Sequence, residues 1–252
     1  TRVTLLVRTA GATALRRIDL VRDQTRSADV LKAGLPGQGC YLWVRRFSQG
    51  VSRSARQAVE SCQAAHGGRV GALVLDLRDN PGGLIDEGVR LADHFIARGI
   101  LVQKIGRQGR LRESEHAHAK GTLSGFPMAV LVNRSTASAA EIVASALQDH
   151  RRATVLGERT FGKGSMQSII PLPDGSRLKL TIARYYRPSG RPLQSEGVTP
   201  TVTVLDRTRP LPPLASLSTP DQPTIVQSTT PTWVAADVVL SRAISEVQKA
   251  SP

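Results

Sequence analysis

The stretch NRSTASAAEIVASALQDHRRATVLGERTFGKGSMQ, residues 133–167, decides how this chain folds. The apolar run MAVLV at 128–132 leads into a turn of small residues, Ser135-Thr136-Ala137-Ser138. A helix follows at once, because Ala139, Ala140, Ile142, Val143, Ala146 and Leu147 recur at the i, i+3, i+4 spacing of one buried face. A hydroxyl at the mouth of such a helix sits beside unpaired backbone N–H groups and the positive end of the helix dipole. A second short strand, 154–156, then runs into residues 157–164, where Lys163 stands between Gly162 and Gly164. Two readings fit the residues alone. Ser138 is either an ordinary N-cap, a position serine favours, or a nucleophile with oxyanion donors beside it; Lys163 is either a solvated loop cation or a base.

Outward from this unit, the chain alternates strands and helices. Residues 40–47 read as a strand containing Tyr41 and Trp43, after a Gly/Pro loop at 34–39. A helix to about Ala65 follows, with Ser52 as its expected cap, Ala55, Val59 and Cys62 as its apolar stripe and Gly67-Gly68 as its stop. Residues 70–77 form a near-continuous apolar run, as a strand buried on both faces requires. That run ends in Arg78-Asp79-Asn80-Pro81-Gly82-Gly83, whose glycines permit a sharp turn and close backbone approach to a ligand. A helix patterned on Leu84, Val89, Leu91, Ala92 and Phe95 comes next, then a strand at 100–105. Residues 106–125 are polar and read as a surface hairpin or loop; its His116 and His118 lack a nearby third ligand and are read as solvent-facing. A hairpin spans 165–172 and 177–186 around Pro173-Asp174-Gly175-Ser176. Residues 206–232 are rich in Pro, Thr and Ser and read as an extended linker, before a closing amphipathic helix at 234–247. Strand–strand–helix repeats with short connections argue an α/β core, and pattern alone does not separate its variants.

Four segments together carry more than any one of them. ALVLDLRDNPGG (72–83), STASAAEI (135–142), FGKGSMQ (161–167) and ARYYRPSGRPLQSEGVTP (183–200) resemble, in order and spacing, the signatures of the C-terminal processing peptidases, also called tail-specific proteases. The resemblance implies a Clp-protease/crotonase-like ββα core and a serine endopeptidase acting near the C-terminal tails of proteins. By matching motifs it implies Ser138 as nucleophile, Lys163 as general base and then acid, and Gln167 as the residue orienting the lysine. The backbone N–H groups of Gly83 and Ala139 would be the oxyanion donors. Lys163 lies 25 positions after Ser138 and Gln167 four after the lysine, as in the family pattern. Ser135 is the nearest rival nucleophile. None of the five histidines (66, 94, 116, 118, 150) falls in a matching motif, so the base would be a lysine. Burial in an apolar site is what makes a lysine amine neutral enough for that work, so a buried Lys163 is expected. Ala140 departs from the pattern, since relatives often carry a hydroxyl there; packing is the expected consequence.

The same resemblance sets the organisation. Strands at 3–8 and 15–22 look like the last hairpin of a PDZ domain, so residues 1–27 are read as its remnant, 28–205 as the peptidase core and 206–252 as linker and closing helix. The resemblance implies neither cofactor nor metal. Expected partners are proteins or peptides with exposed C-terminal tails, and an adaptor or a second copy of the chain. The expected location is the periplasm or another exported site of a bacterium. A non-catalytic peptide- or ligand-binding module on the same fold is the alternative.

Composition narrows the remaining classes. Apolar residues are 40% of 252 but aromatics only 4%, so the core is aliphatic. No run reaches the roughly 18–20 apolar residues of a membrane span. The net charge of +14 raises a nucleic-acid partner. However, the basic residues are scattered from Arg2 to Lys249, with no basic arm, zinc spacing or aromatic RNA-binding motif, so no specific nucleic acid is expected. Cys40 and Cys62 form no metal motif; a disulfide between them and two buried free thiols are equally compatible with the pattern.

Overall fold

The computed structural model describes residues 1–8, 11, 13–21, 28–106, 109–205, 217–222 and 232–249. Its centre is a six-stranded sheet in the order β12-β9-β8-β5-β4-β3. These strands are β3 (Val30–Leu35), β4 (Gly39–Val44), β5 (Ala72–Asp76), β8 (Met128–Val132), β9 (Thr154–Gly157) and β12 (Val202–Thr203). All neighbours are parallel except β3, which returns antiparallel to β4.

Strict alternation along the central strands explains both cores. Leu73 and Leu75 of β5 and Val130 and Val132 of β8 face one side with helices α1 (Val51–Ala65), α2 (Ile85–Asp93) and α3 (Ala139–Asp149). Val74, Ala129, Leu131 and Leu156 face the other side, against α4 (Thr232–Ala236) and α5 (Val238–Lys249). A sheet covered on both faces needs continuous apolar strands, and 70–77 and 128–132 supply them. The α/β reading holds.

A second, antiparallel sheet lies alongside, in the order β10-β11-β6-β7. It contains β6 (Ile100–Ile105), β7 (Leu111–His116), β10 (Ser165–Pro171) and β11 (Arg177–Tyr186). The polar segment 106–125 is therefore a hairpin on its sequence-proximal side, with β7 paired to β6. Among the described residues, the N-terminal strands β1 (Arg2–Val7) and β2 (Arg16–Val21) pair only with each other.

Three local expectations change. The stretch 34–39 is not all loop: Gly34 and Leu35 belong to β3 and Gly39 to β4, paired Gly34 to Cys40 and Leu35 to Gly39. Ladder pairing overrides the breaker tendency of glycine there. Ser52 does not cap α1; Gly50 does, at φ 86, and Ser52 is buried in the first turn with its N–H donating to Glu87 at 2.8 Å. The closing helix is broken in two at Asp237, whose carboxylate accepts the Leu240 N–H at 2.9 Å as the N-cap of α5. Most of the linker read at 206–232 lies outside the described residues. Its described part passes beside β3, where Ser218 and Lys32 exchange backbone hydrogen bonds and the buried Lys32 ammonium donates to the carbonyls of Pro220 and Gln222.

Cys40 in β4 and Cys62 in α1 form a disulfide, with Cα atoms 6.1 Å apart. Of the two readings left open by the sequence, the bridge is the one realised.

Candidate active site

Three loops meet at the carboxyl ends of β5, β8 and β9, the edge of an α/β sheet where ligands ordinarily bind. They are residues 78–83, 133–138 and 158–164. Ser138 ends the second loop at φ 58, ψ −119, immediately before α3. A non-glycine residue at positive φ is costly, so surrounding contacts must hold it there.

Those contacts can be named. The Ala137 N–H donates to the Asn80 carbonyl at 2.9 Å, tying the serine turn to the glycine loop. Thr136 donates its hydroxyl to the Leu77 carbonyl at 2.8 Å and accepts the Asn133 N–H at 3.0 Å. Asn80 orders its own loop, accepting the Gly82 N–H and donating to the Val44 carbonyl. The two glycines are then forced. At φ 95, a side chain on Gly82 would meet the Ser138 Cβ at 2.7 Å; at φ 142, one on Gly83 would meet the Phe47 carbonyl oxygen at 2.2 Å. The Leu84 N–H is committed to Phe47 at 2.7 Å. Among the described residues no hydrogen bond engages the N–H of Gly83 or of Ala139, the first residue of α3.

The third loop is joined to the serine by one carboxylate. Glu141 is fully buried in the first turn of α3. Its Oε2 accepts the N–H of Ser138 at 2.8 Å and that of Lys163 at 2.8 Å. The backbone nitrogens of the two residues thus lie within twice that distance of each other. Its Oε1 accepts the Gly162 N–H at 2.6 Å and the Thr160 hydroxyl at 2.5 Å. A carboxylate with two oxygens offers about four lone-pair sites, and four donors fill them here. Sequence reasoning missed Glu141. Its signal was present, since Ser138-x-x-Glu141 has the spacing of a capping box.

The segment 193–200 closes the lysine loop from outside. The Ser195 N–H donates to the Gly162 carbonyl at 2.9 Å, and the Gly164 N–H to the Gln194 side chain at 3.1 Å. Thr160 accepts the Val198 N–H at 2.7 Å. This is the physical content of the motif read at 183–200.

Two expectations about side chains are not met. Lys163 was expected buried and is exposed; its backbone N–H is held by Glu141, and among the described residues no hydrogen bond engages its ammonium. Gln167 is likewise exposed on β10, just past a bulge between Met166 and Gln167, and among the described residues no hydrogen bond joins it to Lys163. Ser135, the rival nucleophile, is exposed and its N–H caps on Asn133 at 3.1 Å. Four of the histidines are engaged away from Ser138: His66 on Cys62, His94 on Ser52 and Arg56, His118 on Asp93, His150 on Ile100.

A serine strained at a strand-to-helix turn, beside a glycine backbone and unengaged N–H groups, is the class of site that serves acyl transfer. The sequence profile of peptidase family S41 matches residues 39–204, and the chain belongs to that family. It is 38% identical over 205 residues to the carboxy-terminal-processing protease of Bartonella bacilliformis, covering 81% of this chain and 47% of that one. It is also 38% identical to the carboxyl-terminal-processing peptidase 2, chloroplastic, of Arabidopsis thaliana, covering 79% of this chain and 39% of the relative. Among solved structures it resembles a photosystem II D1 C-terminal processing protease, with a TM-score of 0.66 at 33% identity, covering 83% of this chain and 57% of the other. The chain thus spans about half the length of the curated relatives it matches or less.

Proposed function

We propose that the chain carries the catalytic domain of a serine endopeptidase that cleaves proteins near their C-terminal tails. Ser138 attacks the scissile carbonyl, the Lys163 amine takes its proton and returns it to the leaving amine, and Gln167 orients the lysine. The N–H groups of Gly83 and Ala139 hold the oxyanion. The observation that carries this reading is the Glu141 clamp, which fixes the Ser138 and Lys163 backbones on one carboxylate oxygen. Exposure of Lys163 adds a step: a neutral amine requires loss of water, so the substrate or a covering domain desolvates the lysine when it arrives.

On the same reading, residues 1–27 are the end of a PDZ-like domain, 28–205 the peptidase core, and 206–252 a wrapping segment with its closing helices. Substrates are proteins with exposed tails, and an adaptor or a second copy regulates access. An exported, periplasmic location is supported by the Cys40–Cys62 bridge, because disulfides persist in oxidising compartments.

The test is turnover of unfolded proteins that differ only in their C-terminal residues. Ser138→Ala abolishes cleavage without unfolding the chain, and Lys163→Arg is as inactive as Lys163→Ala, because a guanidinium does not give up its proton. The exposed Lys163 favours one rival, a module that binds peptides without cutting them. Equal peptide affinity for the wild type and Ser138→Ala, with no cleavage by either, would establish that rival.

A further inference from the structure

Asp237 sits at the break between α4 and α5, beyond the residues that match the family profile, on the face of the sheet opposite α1 to α3. Its carboxylate nevertheless reaches the first residue of the glycine loop. Arg78 donates to Asp237 from Nη1 at 2.9 Å and from Nη2 at 2.6 Å. The same guanidinium donates to Asp76 from Nε at 3.0 and 3.1 Å and from Nη2 at 2.6 Å. All three side chains are at most 2% exposed. Asp76 also accepts the Tyr41 hydroxyl at 2.7 Å and the Arg78 N–H at 2.9 Å.

Asp76 belongs to the end of the strand that carries the loop, so its grip on Arg78 is local. Asp237 arrives 159 positions later in the chain. Planar guanidinium forks fix direction as well as distance, so two carboxylates on one Arg78 leave it a single orientation. Two residues further on, Asn80 accepts the Ala137 N–H, and Gly82 packs on Ser138.

We infer that Asp237 is a positioning residue for the active site: acting through Arg78, it sets the loop 78–83 so that the Gly83 N–H faces the reacting carbonyl of a peptide bond. The inference rests on the peptidase reading. It makes the closing helix part of the catalytic apparatus, through the Asp237–Arg78 contact.

A buried ion pair is by itself weak evidence for stability, and a merely structural latch would also weaken the fold when cut. The test therefore separates the two. Asp237→Asn keeps the shape and the N-cap to Leu240, because asparagine caps as well as aspartate; Asp237→Ser, which also caps, replaces it if that variant does not fold. Val247→Ala loosens the far end of α5 without touching Arg78. Each is compared with the full chain for turnover of an unfolded labelled protein, inhibition by a peptide boronate, peptide binding in a Ser138→Ala background, and amide exchange over 78–84.

For Asp237→Asn, kcat falls about tenfold with KM changed less than about threefold, since outright loss of an oxyanion donor costs about a hundred- to a thousandfold. Boronate inhibition weakens in parallel, peptide binding is unchanged, and the amides of 78–84 exchange faster. Val247→Ala lowers Tm and leaves kcat within about twofold. The inference is overturned if Asp237→Asn keeps both kcat and the protection of 78–84, or if Val247→Ala loses as much kcat. Should the full chain cleave nothing, the peptidase reading fails instead, and exchange over 78–84 alone decides whether Asp237 sets the loop.

Discussion

Glu141 shows how one side chain assembles a site from distant sequence. Its two oxygens take the N–H groups of Ser138, Gly162 and Lys163 and the hydroxyl of Thr160, the bonds from Gly162 and Thr160 being buried and those from Ser138 and Lys163 part-buried. Replacing it with glutamine removes an acceptor and points an amide NH2 at backbone donors. A buried unsatisfied donor costs about 1–3 kcal/mol, so Glu141→Gln should lose roughly 2–4 kcal/mol in urea unfolding. Activity should fall by at least about a hundredfold, because misplacing a reacting group by an ångström costs that much. A variant that unfolds like the wild type and still cleaves would remove Glu141 from the site. The same residue marks a limit of motif reading. Ser138 and Lys163 are singled out as candidates by their place in motifs, whereas a carboxylate held by four backbone and hydroxyl partners stands out only once those partners are brought together in space.

Helix α1 is fastened to the sheet and to α2 by devices that pattern reading resolves only in part. The periodicity placed Cys62 on the buried stripe and Cys40 in a strand, which made a bridge geometrically open but did not decide it. The structure closes a loop with a sequence separation of 22, for which chain-entropy arguments give about 3 kcal/mol. Cys40→Ala/Cys62→Ala should lose about that much stability in urea, and unfolding the unreduced wild type should release no titratable thiol. The contact of α1 with α2 adds a pH dependence. His94, just past α2, meets the Ser52 hydroxyl at 2.9 Å and Arg56 at 3.2 Å. Burial first, then the Arg56 charge, hold its imidazole below the ordinary histidine range, against the pull of Asp93 and Glu60. The unfolded chain then binds more protons than the folded one between the depressed value and about 6.5. This contribution is therefore fully present above about pH 6.5 and is lost as pH falls through the folded value. Urea midpoints at about pH 7.5 and about pH 5 should differ less in His94→Gln than in the wild type; an equal difference would exclude His94 as a source of the slope.

At the scale of the molecule, the sequence was most readable where burial on two faces dictated it. The runs at 70–77 and 128–132 became central strands because both faces are buried and nearly every residue is apolar, Asp76 being a buried charge paired with Arg78, and the Gly82-Gly83 turn followed because Ser138 and Phe47 leave no room for a side chain. It was least readable at β3, where pairing with Cys40 and Gly39 turned an apparent glycine loop into a strand, and at Asp237, where a cap and an ion pair broke one helix into two. The N-terminal hairpin is a different case: its strands were legible, but among the described residues they form a sheet of two that joins neither of the larger ones. Leu6, Leu15 and Val21 remain 60–69% exposed, so the hairpin adds little apolar burial. A two-stranded hairpin is marginal by itself in water and stabilises a neighbour only through contact. Deleting residues 1–27 should therefore leave Tm within about 2 °C, since 1 kcal/mol corresponds to about 2–4 °C in a chain of this size. The deletion should also reduce self-association, because exposed apolar patches and free strand edges promote it. A loss of more than about 4 °C would show instead that the hairpin is packed on the core and belongs to the same cooperative unit.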